Sequence, residues 1–266
     1  MHAVVFAYHD VGVNCLKALL NAGIQVDLVV THQDDPNENV WFGSVAKLCT
    51  EKNIPYITPN ANELANLIPR FQELAPDYIF SFYYRFMIPE QILKCAKIAA
   101  LNMHGSLLPK FRGRAPVNWA ILHGETETGA TLHVMEVKPD AGDIVGQVAV
   151  GIGPDETATD VFGKVSGAAV EVMNQVLPKL IQGKVPRKPN DLQKGSYFGG
   201  RKPADGQIHW SQTAQQVHDL VRAVAPPYPG AFTDFDGKTM IVGRTSLKGP
   251  FPANLDPRLS GIQVVD

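Results

Sequence analysis

An α/β fold is predicted, with a mostly parallel sheet covered by helices and a small, mainly β C-terminal domain. Three observations predict it. Apolar strand-like runs alternate with helical patterns through the first two-thirds of the chain. After Gly183 the texture changes to a stretch rich in Pro, Gly and charge. Beyond it, Asp236-Gly237 lies between two β-rich runs, a strong hairpin signal. The boundaries drawn from this are a large domain over 1–190, a linker over 191–204 and a small domain over 205–266.

The elements follow in order. "HAVVFAY" (2–8) reads as a strand, and in "VGVNCLKALLNAG" Val13, Leu16, Leu19 and Leu20 share a helix face before Gly23 stops it. "QVDLVVTH" (25–32) is a second strand, followed by a polar loop and the helix "GSVAKLCTEK". "IPYITP" is short, and "ANELANLIPRFQEL" reads as helix despite Pro69. "DYIFSFYY" (77–84) is the next strong strand, then "IPEQILKCA" a short helix with Pro near its start. "IAALN" reads as a strand, and "TGATLHVME" and "DIVGQVAVGI" as a pair flanking Lys138–Gly142. "ATDVFGKVSGAAVEVMNQVLPKLIQG" is the longest helical pattern. The region 184–207 reads as a linker crossing the surface, followed by "IHW", the helix "TAQQVHDLVRAVA" and the hairpin. The chain stops soon after that hairpin, which is short for a complete domain. A stand-alone protein and a portion of something longer both stay open.

The bulk composition narrows the function classes. At 266 residues, with 45% hydrophobic side chains, the chain can bury a large core. A net charge of -2 offers no global electrostatic case for nucleic-acid or membrane binding. Cys15, Cys49 and Cys95 are an odd count, far apart and without metal-ligand spacing, so they read as buried free thiols in a reducing compartment. The N-terminus begins directly with a strand and no apolar run reaches membrane-spanning length, so a cytoplasmic protein is expected. "AYHDVGVNCL" holds one glycine, Gly12, so a dinucleotide fingerprint is absent. The helix after it could still receive a phosphate at its N-terminus, or the turn could be an ordinary one.

The chemistry concentrates in "LNMHGSLLPKFRGRAP", 101–116. Asn102 and His104 are two residues apart, so in an extended segment both leave one face before Gly105 and Pro109 end the ladder. A polar pair leaving a strand's carboxyl end is where open α/β sheets place ligands. Capping the strand is the competing role. Ser106 lacks a nucleophile-elbow context and reads as a turn residue. In "VKPDAGDIV", Asp143 reads as a turn residue, and Asp140 is either another or a partner for His104. As a partner, Asp140 would accept from one ring nitrogen, fix the tautomer and raise the imidazole pKa. The other nitrogen would then move protons during attack on a carbonyl, while the Asn102 amide donates to the developing oxyanion. "FYYRFMIP" follows a strand's carboxyl end, where Phe86, Met87 and Ile88 could pack around a flat heterocycle or belong to the core. Arg112 and Arg114 flank Gly113, placed to meet a carboxylate or phosphate, with one of the two solvated.

The stretch "LNMHGSLLPKFRGRAPVNWAILHGETETGATLHVMEVKPDAGDIV" resembles the signature of the folate-dependent formyltransferases, and "IHW" and "VRAVAPPYPGAF" match that family too. The resemblance implies a Rossmann-like sheet of the formyltransferase fold with an OB-like small domain. It implies 10-formyltetrahydrofolate as co-substrate, no metal, and a primary amine as acceptor. It assigns Asn102 to the oxyanion, His104 to proton transfer and Asp140 to holding His104. Phe86, Met87 and Ile88, with Glu136, Val137, Lys138, Pro139, Asp140 and Arg114, would line the folate site. "VVFAYHDVG", "FGSVAKL", "IFSFYYR" and "GETETG" are similar to the branch that formylates UDP-4-amino-4-deoxy-L-arabinose for lipid A modification and polymyxin resistance. For such a nucleotide sugar, Tyr8 and His9 after the first strand and Arg201 and Lys202 in "GGRKP" are acceptor-side candidates.

Two other readings stay in view. A methionyl-tRNA formyltransferase carries a basic loop after its second strand, whereas "THQDDPNENVWFG" holds Asp34, Asp35 and Glu38 and no Lys or Arg. Acidic side chains there would repel phosphates. A non-catalytic binding protein on the same scaffold could dispense with Asn102, His104 or Asp140, and all three are present.

Overall fold

A computed structural model describes residues 1–34 and 42–247. The first half alternates strand and helix: β1 (His2–Ala7), α1 (His9–Asn21), β2 (Gln25–Val30), α2 (Val45–Lys52), β3 (Tyr56–Ile57), α3 (Ile68–Leu74), β4 (Tyr78–Phe82), α4 (Glu90–Leu93) and β5 (Ala99–His104). Then come β6 (Arg112–Gly113), α5 (Pro116–Leu122), β7 (Glu127–Val134), β8 (Ile144–Gly151) and α6 (Ala158–Leu180). β9 (Tyr197–Phe198), α7 (Ala214–Ala223), β10 (Ala231–Phe235) and β11 (Lys238–Val242) complete the described chain.

The central sheet has the order β3-β2-β1-β4-β5-β7-β8. Its first five strands are parallel. β7 and β8 add antiparallel at one edge. Alternation along β1 sends Ala3, Val5 and Ala7 into the core shared with α1, α2, α5 and α6. Val4 and Phe6 enter the core on the opposite face, with Leu64, Phe71 of α3 and Ile92 of α4. The chain leaves β1 toward β2 on one side, and β4 lies on the other, so the switch in strand order opens a crevice at the carboxyl ends.

Three sequence expectations change. "ANELANLIPRFQEL" is not one helix: Ala61–Leu67 is a 3-10 segment, and α3 begins at Ile68 with Pro69 in its first turn, where no amide donor is needed. Cys15 and Cys49 are buried, but Cys95 is only partly so and follows α4 rather than lying in it. The linker does not merely cross the surface, because β9 pairs in parallel with β6. The small domain's described part is α7 packed with the β10–β11 hairpin, and its remainder, 248–266, lies outside the described residues. The hairpin turn is as expected, with Asp236 and Gly237 both at positive φ. Among the described residues, no helix is long and apolar enough to cross a membrane.

Candidate active site

Asn102 and His104 stand at the carboxyl end of the parallel run. On β5, Ala99, Leu101 and Met103 pack under one face of the sheet and Ala100 under the other. Asn102 and His104 continue the Ala100 side, as the two-residue period requires. β7 runs beside them in a register that puts His133 directly opposite Asn102.

His133 fixes the Asn102 amide. Its Nδ1 lies 2.8 Å from the Val134 carbonyl oxygen, which can only accept, so Nδ1 carries the proton. Nε2 of the neutral ring is then an acceptor for Asn102 Nδ2 at 3.1 Å. An amide nitrogen has two protons, so one N–H of Asn102 remains for an oxygen on a bound molecule.

His104 has its nitrogens in exchanged roles. Nε2 donates to the Phe111 carbonyl at 2.8 Å, so Nδ1 is the unprotonated nitrogen of the neutral ring. Nδ1 lies 3.5 Å from Asp140 Oδ1, and the same oxygen is 3.3 Å from His133 Nε2. Burial pushes His104 below the ordinary imidazole range, with Asp140 and the Phe111 carbonyl opposing. Two expectations are thereby corrected. The Phe111 backbone, not Asp140, sets the tautomer, and the net shift is downward because burial outweighs the carboxylate. Asp140 instead stands where it stabilises the imidazolium formed when Nδ1 takes a proton. For Asp140, burial is the largest influence and raises it. The Gly113 N–H, with the positive charge that the His104 and His133 rings carry when protonated, outweighs that and holds the carboxyl well below the usual range.

A test follows from this arrangement. Asp140→Asn should lower the His104 pKa further, read by NMR titration of the imidazole, because the charge that favours the protonated ring is gone. An unchanged titration curve would reduce Asp140 to a turn residue.

Asp140 reaches this position by a tight turn. It sits at φ 51, its Oδ2 accepts from Gly113 N at 2.9 Å, and Asn190 Nδ2 donates to the Asp140 and Gly142 carbonyls. A Cβ at Gly142 would collide with the Val134 carbonyl oxygen, so glycine is required there. The loop after His104 is equally tied down. Ser106 Oγ donates to the Lys110 carbonyl, in a turn role, and Leu108 N donates to Thr131 Oγ1. Ser196 Oγ in the linker accepts from Phe111 N at 2.8 Å, and the Ser196 carbonyl accepts from Arg112 N, the amide in the same peptide unit as the carbonyl that sets the His104 tautomer.

These residues border a cleft of about 560 Å³, a size suited to a small-molecule substrate. Phe86, Met87, Ile88, Arg114, Glu136, Pro139 and Asp140 line it, and so does His9. Met87 is 64% exposed, open to a ligand rather than buried in a core. Other candidates do not reach the cleft wall. Val137, 67% exposed, and Lys138 are not among the residues that line it. Tyr8 is buried against His32 and Phe42, with the Arg85 guanidinium 4.5 Å from its ring centroid. Arg201 lies over the Trp119 ring and donates to the Asp205 carbonyl beside a separate cleft, and Lys202 begins a 3-10 turn. Arg112 is buried in β6 outside the cleft wall, whereas Arg114 is exposed. Sequence reasoning missed His133, Asn190 and Ser196. His133 had one usable signal, a polar side chain two residues after Thr131 in a strand whose other side is apolar. Asn190 and Ser196 lie in loops, where no period marks a partner.

Residues 2–177 match the formyl transferase family and residues 201–254 its C-terminal domain. The chain belongs to the formyl transferase family and is an enzyme of that class. Among solved structures, a 4-N formyltransferase from Francisella tularensis is 25% identical, with 91% of this chain and 96% of that one covered and a TM-score of 0.72. An N-formyltransferase from Helicobacter canadensis, in complex with folinic acid and dTDP-3-aminofucose, is 19% identical over 94% of this chain and 89% of that one, TM-score 0.72. A sugar N-formyltransferase from a Shewanella species is 20% identical over 94% and 99%, TM-score 0.72. The last two share the fold with this chain.

Proposed function

We propose that the protein transfers a formyl group from 10-formyltetrahydrofolate to the amine of a nucleotide-linked amino sugar, UDP-4-amino-4-deoxy-L-arabinose. The observation that carries this reading is a cleft with two walls that meet at Asn102, His104 and Asp140. One wall, built from Tyr84, Phe86, Ile88, Leu93 and Met135, rises from the core on one face of the sheet. The other, built from Tyr83, Val117, Phe162 and Tyr228, rises from the core on the opposite face. Two substrates approaching from opposite sides of the sheet edge would react between the walls.

The donor takes the wall with Phe86, Met87 and Ile88, alongside Arg114 and the 136–140 turn. The acceptor takes the other wall, with His9 at its edge. The amine nitrogen attacks the formyl carbon, and the carbonyl electron pair moves to oxygen, which receives the Asn102 N–H. His104 Nδ1 takes a proton from the attacking nitrogen beside the Asp140 carboxylate. Collapse breaks the bond from carbon to the folate nitrogen, and that nitrogen takes the proton. The Helicobacter canadensis structure, with folinic acid and a dTDP-linked amino sugar, supports a donor and acceptor of these classes.

The uridine sugar is favoured by the resemblance of "VVFAYHDVG", "IFSFYYR" and "SLLPKFRGRAPVNW" to the formyltransferase domain of the polymyxin-resistance protein ArnA. On that reading the reaction serves lipid A modification in the cytoplasm. A tRNA acceptor needs a basic stripe, and the net charge of -2 and the acidic loop at 33–40 supply none. Residues 35–41 lie outside the described residues, while Asp34 accepts from Ser44 Oγ at the start of α2. Formylation of UDP-4-amino-4-deoxy-L-arabinose should exceed that of initiator methionyl-tRNA under identical folate and salt. Faster transfer to the tRNA would sink the sugar assignment and leave the formyl-transfer chemistry standing.

A further inference from the structure

Tyr83 and Tyr84 are neighbours in sequence and go to opposite walls of the cleft. Tyr83 makes this possible by adopting a positive φ of 59 immediately after β4, a conformation that costs energy for a bulky side chain. Its ring packs edge-on against Phe162 at 5.6 Å, and its hydroxyl lies hard against the Gly105 backbone. A Cβ at Gly105 would fall on the Tyr83 oxygen, so the glycine after His104 holds space for that hydroxyl. The hydroxyl is buried and has no hydrogen-bond partner among the described residues. Burial, the largest cause, raises its pKa, so it remains a neutral phenol able both to donate and to accept. A phenylalanine would fill the same space without the cost of an unsatisfied buried oxygen.

Resting on the functional reading above, we infer that the Tyr83 hydroxyl recognises a sugar hydroxyl beside the acceptor amine. The argument is one of position. The amine must come to His104 Nδ1, and Tyr83 Oη abuts the residue that follows His104, on the acceptor wall. The carbons flanking the amine carbon are then the ones whose hydroxyls this phenol meets. An acceptor hydroxyl would satisfy it, and an analogue lacking that hydroxyl would leave it buried and unpaired, which is how hydrogen-bonding sites discriminate most strongly.

The test compares wild type and Tyr83→Phe on a UDP-linked 4-amino sugar and on its analogue deoxygenated next to the amine. Tyr83→Phe should lower kcat/KM for the hydroxylated acceptor about tenfold, the scale of one neutral hydrogen bond left unmade. It should erase the preference over the deoxy analogue and leave the KM for 10-formyltetrahydrofolate unchanged. The melting temperature of the free variant should not fall, because only an unpaired oxygen is removed. An unchanged kcat/KM for the hydroxylated acceptor, or an equal loss with both acceptors, would overturn the role. A wild-type enzyme that formylates only some other amine would refute the functional reading instead. The same comparison then runs with hydroxylated and deoxy forms of that amine, and an accepted amine with no neighbouring hydroxyl also overturns the inference.

Discussion

Replacing His104 by alanine should lower turnover on the order of a hundredfold or more, the usual scale for loss of a general acid–base group. The imidazole is buried between the Phe111 carbonyl and Asp140, and the other unprotonated ring nitrogen beside Asp140, His133 Nε2, is already taken by the Asn102 amide. Donor binding should stay near normal, since the residues proposed to hold the folate lie on the wall with Phe86 and Ile88. The effect therefore falls on kcat rather than on the donor KM. In the wild type the pH profile carries a matching signature. His104, as the proposed base, has its pKa below the ordinary imidazole value, so activity should rise with pH through a midpoint below that value. A His104→Ala enzyme with the wild-type rate would remove the imidazole from the mechanism.

The second large effect concerns stability, at the joint between the two domains. Arg222 of α7 and Asp219 are both buried, and Arg222 Nε and Nη2 each lie 2.8 Å from Asp219 Oδ1. Arg222 Nη1 also donates to the carbonyls of Gly153 and Glu156, just before α6. His218, one turn earlier, donates from Nε2 to the Pro154 carbonyl at 3.0 Å. Arg222→Leu would leave Asp219 buried with, among the described residues, only Gln215 donating to it, and three carbonyl and carboxylate partners would lose a charged donor. The expected cost is on the order of 3–5 kcal/mol, which for a chain of this size lowers the melting temperature by roughly 10 °C. Adding Asp219→Leu should recover part of the loss, because it removes the stranded charge. A melting temperature within a degree or two of wild type for Arg222→Leu would mean that the pair does not secure the joint.

Much of the fold was legible because burial imposes a period on the sequence. "HAVVFAY" and "DYIFSFYY" are apolar on both faces and became central parallel strands, β1 and β4. Asp236-Gly237 marked its hairpin because few other pairs accept two positive φ angles. The Asn102 and His104 alternation was legible for the same local reason, that a strand has a two-residue period. "ANELANLIPRFQEL" was misread because its apolar spacing suits a helix, while Pro69, which has no amide to donate, is placed in the first turn of a new helix that begins at Ile68.

By itself the sequence determined the alternation of elements, the hairpin, and the identity and common face of Asn102 and His104, all of which depend on residues a few positions apart. Tertiary structure alone decided what those residues can do. It brought His133 opposite Asn102 across 31 positions and Ser196 to the Phe111 amide across 85. It thereby gave the Asn102 amide its acceptor and tied down the loop whose Phe111 carbonyl faces His104 Nε2. It also buried His104 deeply enough to reverse the shift that Asp140 alone would impose. Desolvation depends on everything packed around a group, and hydrogen-bond direction depends on partners brought by other strands and loops, so neither is written in the spacing of residues along the chain.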